Sequence, residues 1–173
     1  MKIAILSAGP SLPDTWNGGD YDVTIGVNAS AFRHIVDYGV ALDPFIWKTG
    51  YKFGYDFWST IRKGGIWWSK MLQNGEEPVP SSVLVPDGWE WIDAAQFSGR
   101  YTFSIEAALR FADSLAGGET IDLYGHDMGG DKPPELYIQH PYNEERWRLE
   151  RMIYESLLLK LSSPVNRILG DEK

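Results

Sequence analysis

Lys2-Ile3-Ala4-Ile5-Leu6-Ser7-Ala8-Gly9-Pro10-Ser11-Leu12 is the stretch that decides the fold. Residues Lys2 to Leu6 are expected to form a strand, apolar at successive rather than alternate positions from Ile3 onward. Such a strand has no polar face, and therefore suits the interior of a parallel sheet covered on both sides. It runs directly into Ser7-Ala8-Gly9-Pro10-Ser11, a turn of small residues. Where a strand of an α/β sheet ends in such a turn, backbone amides can approach a ligand closely. The turn is neither GxGxxG nor a Walker loop, so its two readings, ligand cradle and ordinary strand-to-loop break, stand side by side.

Working outward, Val23 to Val27 is a second apolar run. Residues Asn28 to Tyr38 read as a helix that Asn28 or Ser30 can cap, and Phe45-Ile46-Trp47 reads as a third strand. Strand, loop, strand, helix, strand is the rhythm of a βα nucleotide fold. From Gly50 to about residue 95 the pattern loosens into an aromatic-rich insertion. Within it, a helix is expected around Tyr55 to Arg62 and a strand at Ile66-Trp67-Trp68, while Trp89 to Ile92 reads as a sheet edge. Thr102 to Leu115 places Ile105, Ala108, Leu109, Ala112 and Leu115 on one helical face, and Gly117-Gly118 stops the helix. Thr120 to Tyr124 is then a strand ending in Gly125-His126-Asp127, and Asn143 to Leu161 is a long amphipathic helix. The expected architecture is a single Rossmann-like α/β domain over residues 1–163. It has a mostly parallel central sheet, helices on both faces, and a loosely held tail at 164–173.

Composition narrows the function. A chain of 173 residues buries roughly 70% of its unfolded surface as one core. The absence of cysteine excludes a disulfide scaffold, a thiolate metal site and a cysteine nucleophile. Sixteen Lys and Arg against 24 Asp and Glu give a net charge of −8, which repels nucleic acid and anionic membranes. A small anion held by amides remains compatible with that field. The apolar start is too short for a signal-peptide core and no stretch is long enough for a membrane span, so a cytoplasmic protein is expected.

Three loops carry the candidate chemistry. The first is Gly9-Pro10-Ser11. The second is Asn28, whose amide both donates and accepts and so suits either a sugar or base edge or a helix cap. The third is Ser98-Gly99-Arg100-Tyr101-Thr102, ahead of a helix, which is either an anion site strengthened by Arg100 or a cap. All three are expected on one sheet edge. Of the histidines, His34 reads as structural. His126 with Asp127 reads as an acid–base pair, a partial metal site or a buried turn histidine. His140, in the loop before the long helix, suits proton transfer.

These residues together resemble the bacterial CMP-sialic-acid-dependent sialyltransferases of glycosyltransferase family 42. They carry the likeness in Ser7 to Leu12, a strand ending in Asn28, Phe97 to Tyr101 before a helix, and Leu123-Tyr124-Gly125-His126-Asp127. The chain is also similar to a wider Rossmann-like group that includes archaeal 6-hydroxymethylpterin diphosphokinases and short phage-encoded proteins. The resemblance spans about residues 1–47 and 97–155. It implies that Gly9, Ser11 and Asn28 hold a nucleotide, that Ser98 and Gly99 lie by its phosphate, and that His140 is the general base on an acceptor hydroxyl; Pro10, within the first turn, and Arg100, within the third, are further nucleotide-binding candidates. His126, Asp127, Tyr137 and Tyr142 would give phosphate or acid–base support. Ala8 stands where that family carries asparagine, and Met128 stands at the first of its phosphate-binding tyrosines. The expected reaction is sugar transfer from a nucleotide-sugar donor, of CMP type, to a hydroxyl-bearing acceptor, with no metal or other cofactor required. Ser11, Ser98 and Gly99 would stabilise the departing phosphate. Two alternatives are expected to be separable from it. One is a metal-dependent phosphoryl or diphosphoryl transferase needing carboxylates and a divalent ion, and the other is a non-catalytic nucleotide-binding protein of phage origin. Were the sugar donor a diphosphate, Asp127 and Asp131 could hold Mg²⁺. A homo-oligomer is compatible with all three.

Overall fold

The computed structural model describes residues 1–7, 9, 11–13, 15–16, 18–28, 30–43, 47, 57–71, 87–97, 100–128 and 144–169. The apolar run Ile3–Leu6 is strand β1 and Val23–Val27 is β2. A one-turn helix, α1 (Ser30–Arg33), leads into β3 (Val36–Val40). Next come α2 (Phe57–Thr60), β4 (Ile61–Trp67), a short 3-10 turn at Ser69–Met71, and β5 (Glu90–Asp93). A second 3-10 turn, Ala94–Gln96, precedes α3 (Ser104–Ala116), followed by β6 (Ile121–Tyr124), α4 (Glu144–Leu158) and β7 (Val165–Ile168). The seven strands form one sheet in the order β5-β4-β3-β2-β1-β6-β7, and every adjacent pair is parallel. The α/β Rossmann-like reading therefore holds.

Alternation along the strands divides the core into two. Ile3, Ile5, Val23, Ile25, Val27, Ile121 and Leu123 pack against Leu109, Ala112 and Ala116 of α3 and against Tyr154 and Leu157 of α4. On the opposite face Leu6, Val36, Ala41 and Ile61 pack with Ala31 and Phe32 of α1 and with Trp47 and Trp89. The first face is thus covered by long helices. Among the described residues the second is covered by short helical turns and by aromatic rings, including Trp47 on Trp91 at 5.1 Å and Trp89 on Trp91 at 4.8 Å. This is where much of the aromatic excess goes. The indoles of Trp47 and Trp89 are satisfied, Trp47 Nε1 by the Ala41 carbonyl at 2.8 Å and Trp89 Nε1 by the Ile61 carbonyl at 3.0 Å.

Several elements differ from expectation. The helix expected over Asn28 to Tyr38 is only Ser30–Arg33, because Val36, Tyr38 and Val40 extend into the sheet between β2 and β4. Trp47 is helical, not part of a third strand, while Phe45 and Ile46 lie outside the described residues. The helix expected to reach Arg62 stops at Thr60, and β4 begins at Ile61. Part of the segment expected as a loose tail, Val165–Ile168, is the last strand, paired with β6. The expected sheet edge at Trp89 to Ile92 is β5, which pairs only with β4. Gly117 ends α3 with a left-handed φ of 61°.

Candidate functional site at the β1–β6 crevice

Strands β2 to β5 follow β1 to one side, and β6 and β7 lie on its other side, so the strand order reverses between β1 and β6. In open α/β sheets, ligands bind beyond the carboxyl ends of the strands at such a reversal. The two strands are in register to their ends, Leu6 opposite Tyr124, and the turns that follow remain bonded. Ser7 N–H donates to the Tyr124 carbonyl at 2.8 Å, and Gly9 N–H donates to the Gly125 carbonyl at 2.8 Å. Gly9 is required by this approach: a Cβ there would lie 2.1 Å from Asp127 Oδ2 and 2.3 Å from the Gly125 carbonyl oxygen. Ser11 then points both of its donors at one carboxylate oxygen. Its amide lies 3.1 Å and its hydroxyl 2.9 Å from Asp127 Oδ2. The Gly9–Ser11 turn is therefore an anion cradle, and the anion in it is the chain's own Asp127.

Asn28 follows β2 on the same edge with φ 53°, a left-handed conformation that asparagine tolerates better than most residues. Its amide donates to the Val40 carbonyl at 2.8 Å and its carbonyl accepts from Ala31 N–H at 3.1 Å, while Oδ1 is buried without a donor. The neighbouring Ser30 hydroxyl pins this corner. It accepts from Val27 N–H at 2.8 Å and donates to the Leu6 carbonyl at 2.5 Å, tying the end of β2 to the end of β1.

The start of α3 lies along the same edge, since the Ser104 hydroxyl accepts from the amide of Leu42, two residues past β3. Two of the amides that lead into it are already used. Thr102 N–H and Phe103 N–H donate to Glu106 Oε2 at 2.7 and 2.8 Å, so the first turn is closed by a buried carboxylate from within. The Arg146 guanidinium of α4 sits 5.2 Å over the Phe103 ring. Arg100 is exposed.

His126 is 3% exposed, packs its ring 5.0 Å from that of Tyr154, and has no partner at Nε2. Burial, and secondarily Arg167, pushes its pKa down to about 4 against the opposing pull of Asp127. It is therefore a neutral imidazole at physiological pH. Met128, the next residue but one, is with Asn28 one of two non-glycine residues of positive φ among the described residues, at 54°, and its carbonyl accepts from Arg151 of α4 at 3.1 Å.

On the face opposite α3 and α4, Tyr21 bonds both Asp122 Oδ2 and the Tyr124 hydroxyl at 2.7 Å. Asn166 donates to Asp122 Oδ1 at 2.8 Å, and Trp16 packs on both tyrosine rings. Burial, then the bonds to Tyr124 and Asp122, raises the Tyr21 pKa, so its phenol stays protonated.

Among the sequence candidates, the fold brings Gly9, Ser11 and Asp127 into contact and sets Asn28 on the same edge. Pro10, Ser98, Gly99, Asp131, Tyr137, His140 and Tyr142 lie outside the described residues. Sequence reasoning missed the Glu106 cap, because the residue at the cap position is Phe103 and not the Ser or Thr of the usual signature. It also missed the Tyr21–Asp122–Tyr124 cluster, which joins residues 101 and 103 positions apart. No family model, curated protein or solved structure matches the chain. Among the described residues, no helix is long and apolar enough to cross a membrane.

Proposed function

We propose that the chain binds a nucleotide-activated sugar at the β1–β6 crevice and transfers the sugar to a hydroxyl-bearing acceptor. The observation that supports this reading is the Gly9–Ser11 turn fitted against Asp127 where the strand order reverses. Gly9, Ser11 and Asn28 contribute to the nucleoside side of the site, and Ser98, Gly99 and Arg100 to the phosphate side. His140 removes the proton from the acceptor hydroxyl. The acceptor oxygen bonds to the anomeric carbon, the bond from that carbon to the donor phosphate oxygen breaks, and the nucleotide leaves with the bonding electron pair. No metal or other cofactor enters this sequence, and a CMP-type donor is the first candidate.

A second reading, metal-dependent phosphoryl or diphosphoryl transfer, is favoured by one observation: Asp127 is a partly exposed carboxylate that no Lys or Arg among the described residues neutralises. The deciding experiment is a thermal-shift screen with CMP, UDP, GDP, ATP and their sugars, followed by turnover of any stabilising donor with and without EDTA. A melting temperature that rises with one nucleotide class, and turnover that persists in EDTA, is the result expected. Stabilisation by none of these ligands overturns the reading, and turnover abolished by EDTA transfers it to the metal-dependent alternative.

A further inference from the structure

Resting on the nucleotide-site reading above, we infer that the crevice between β1 and β6 takes the hydroxyl-bearing sugar of a nucleoside and excludes its phosphate. The reason is the polarity of the hydrogen-bonding groups at this edge. A phosphate needs donors, and the donors of Gly9 and Ser11 in this turn are spent. Ser11 amide and hydroxyl both end on Asp127 Oδ2, and Gly9 N–H ends on the Gly125 carbonyl. At the start of α3, the amides of Thr102 and Phe103 end on Glu106.

What is left are acceptors. Asp127 is partly exposed and, among the described residues, has neither a hydrogen-bond donor at Oδ1 nor a cationic partner. Asn28 Oδ1, at the end of β2, is a second acceptor without a donor. A vicinal diol supplies two O–H donors and complements a carboxylate, whereas a phosphate placed here would have to strip Asp127 from Ser11 and then stand beside it with like charge. The ligand's anionic end accordingly lies toward the side of α3, where Arg100 and Arg146 are the cations.

The test compares, by thermal shift and calorimetry on the full chain, the four common ribonucleosides, their 2′,3′-dideoxy counterparts and inorganic phosphate. The inference expects one ribonucleoside to bind, its dideoxy counterpart to bind about tenfold or more weakly, and phosphate alone to leave the melting temperature unchanged. In Asp127→Asn, whose amide oxygen still accepts from Ser11, the preference for the ribonucleoside shrinks and the matching monophosphate gains affinity relative to the nucleoside. Equal binding of ribo- and dideoxynucleosides by the native protein overturns the inference while leaving the nucleotide site standing. Saturable stabilisation by phosphate that Asp127→Asn does not improve overturns it as well. Failure of every nucleoside and nucleotide to bind removes the site reading and this inference with it. The native-protein comparison decides the matter even if the variant does not fold.

Discussion

After β1, the amide and hydroxyl of Ser11 are held by Asp127, 116 positions further along the chain. At the start of α3, the amides of Thr102 and Phe103 are held by Glu106, within the first turn of the same helix. Both places are ones where this fold class offers donors to an anion, and in both a carboxylate of the chain has taken two of them. The difference lies in what each arrangement presupposes. Glu106 needs only its own helix to form. Asp127 reaches Ser11 only when β1 and β6 are paired, so the crevice reports on the assembled sheet while the cap reports on one helix. Changes at the first place should be felt globally, and changes at the second locally.

The sharpest way to break this contrast is Gly9→Ala. The added carbon meets a backbone carbonyl at 2.3 Å as well as the Asp127 carboxylate, so the β1 and β6 turns must separate. A loss of about 3 kcal/mol is expected, with amide exchange accelerated in both β1 and β6. Urea denaturation and hydrogen exchange measure it. A loss under about 0.5 kcal/mol would mean that the two turns do not depend on close contact.

The crevice also carries a pH dependence through His126. In the folded chain His126 takes a proton only near pH 4, whereas in the unfolded chain it does so near its ordinary 6.5. As pH falls from 6.5 to 4 the unfolded state binds the extra proton first, so stability decreases across that window and this group adds no further loss below it. The shift corresponds to about 3 kcal/mol. Because carboxylates also titrate in the lower part of the window, the quantity to measure is the difference between the native chain and His126→Gln. The native chain should lose more stability on going from pH 7 to pH 4.5. Parallel curves for the two proteins would show that His126 protonates freely in the folded state.

How much of this contrast could be read from the residues follows from the range of the interactions. Strands β1 and β2 announce themselves as apolar runs, α3 as a periodic face closed by Gly117, and β6 as the segment between that helix stop and Gly125, because those signals are local. Strand β3 does not, since Val36-Asp37-Tyr38-Gly39-Val40 follows a helix start and has a polar residue mid-run. What holds it is the sheet: Thr24 N–H donates to Asp37 Oδ2 at 2.9 Å, and Lys63 pairs with Asp37 at 3.0 Å. Strand β7 is four residues with two exposed polar members, and only its register against β6 makes it a strand. The site divides the same way. The glycine turn was legible as a possible cradle, but its occupant was not, because nothing near Ser11 in the chain points to Asp127.

For the local cradle, Glu106→Ala removes the acceptor of two amides at the helix start, and a loss of about 2 kcal/mol is expected. The Thr102 and Phe103 amides should exchange faster while that of Ser11 stays protected, which hydrogen exchange read by NMR resolves. Loss of protection at Ser11 as well would mean that the two cradles are coupled through α3, and the division into a local and a global site would fail.

The smallest effect belongs to Ser11→Ala, which deletes the hydroxyl bond to Asp127 but keeps the amide bond to the same oxygen. One of two donors is lost from a partly solvated carboxylate that water can reach, so about 1 kcal/mol is expected by urea denaturation. The value of this variant lies in its comparison with Gly9→Ala. If the crevice is held mainly by the close approach of two backbones, the glycine change must cost more than the serine change. If the order is reversed, the Ser11–Asp127 pair is what joins β1 to β6, and the glycine follows from that contact rather than making it possible.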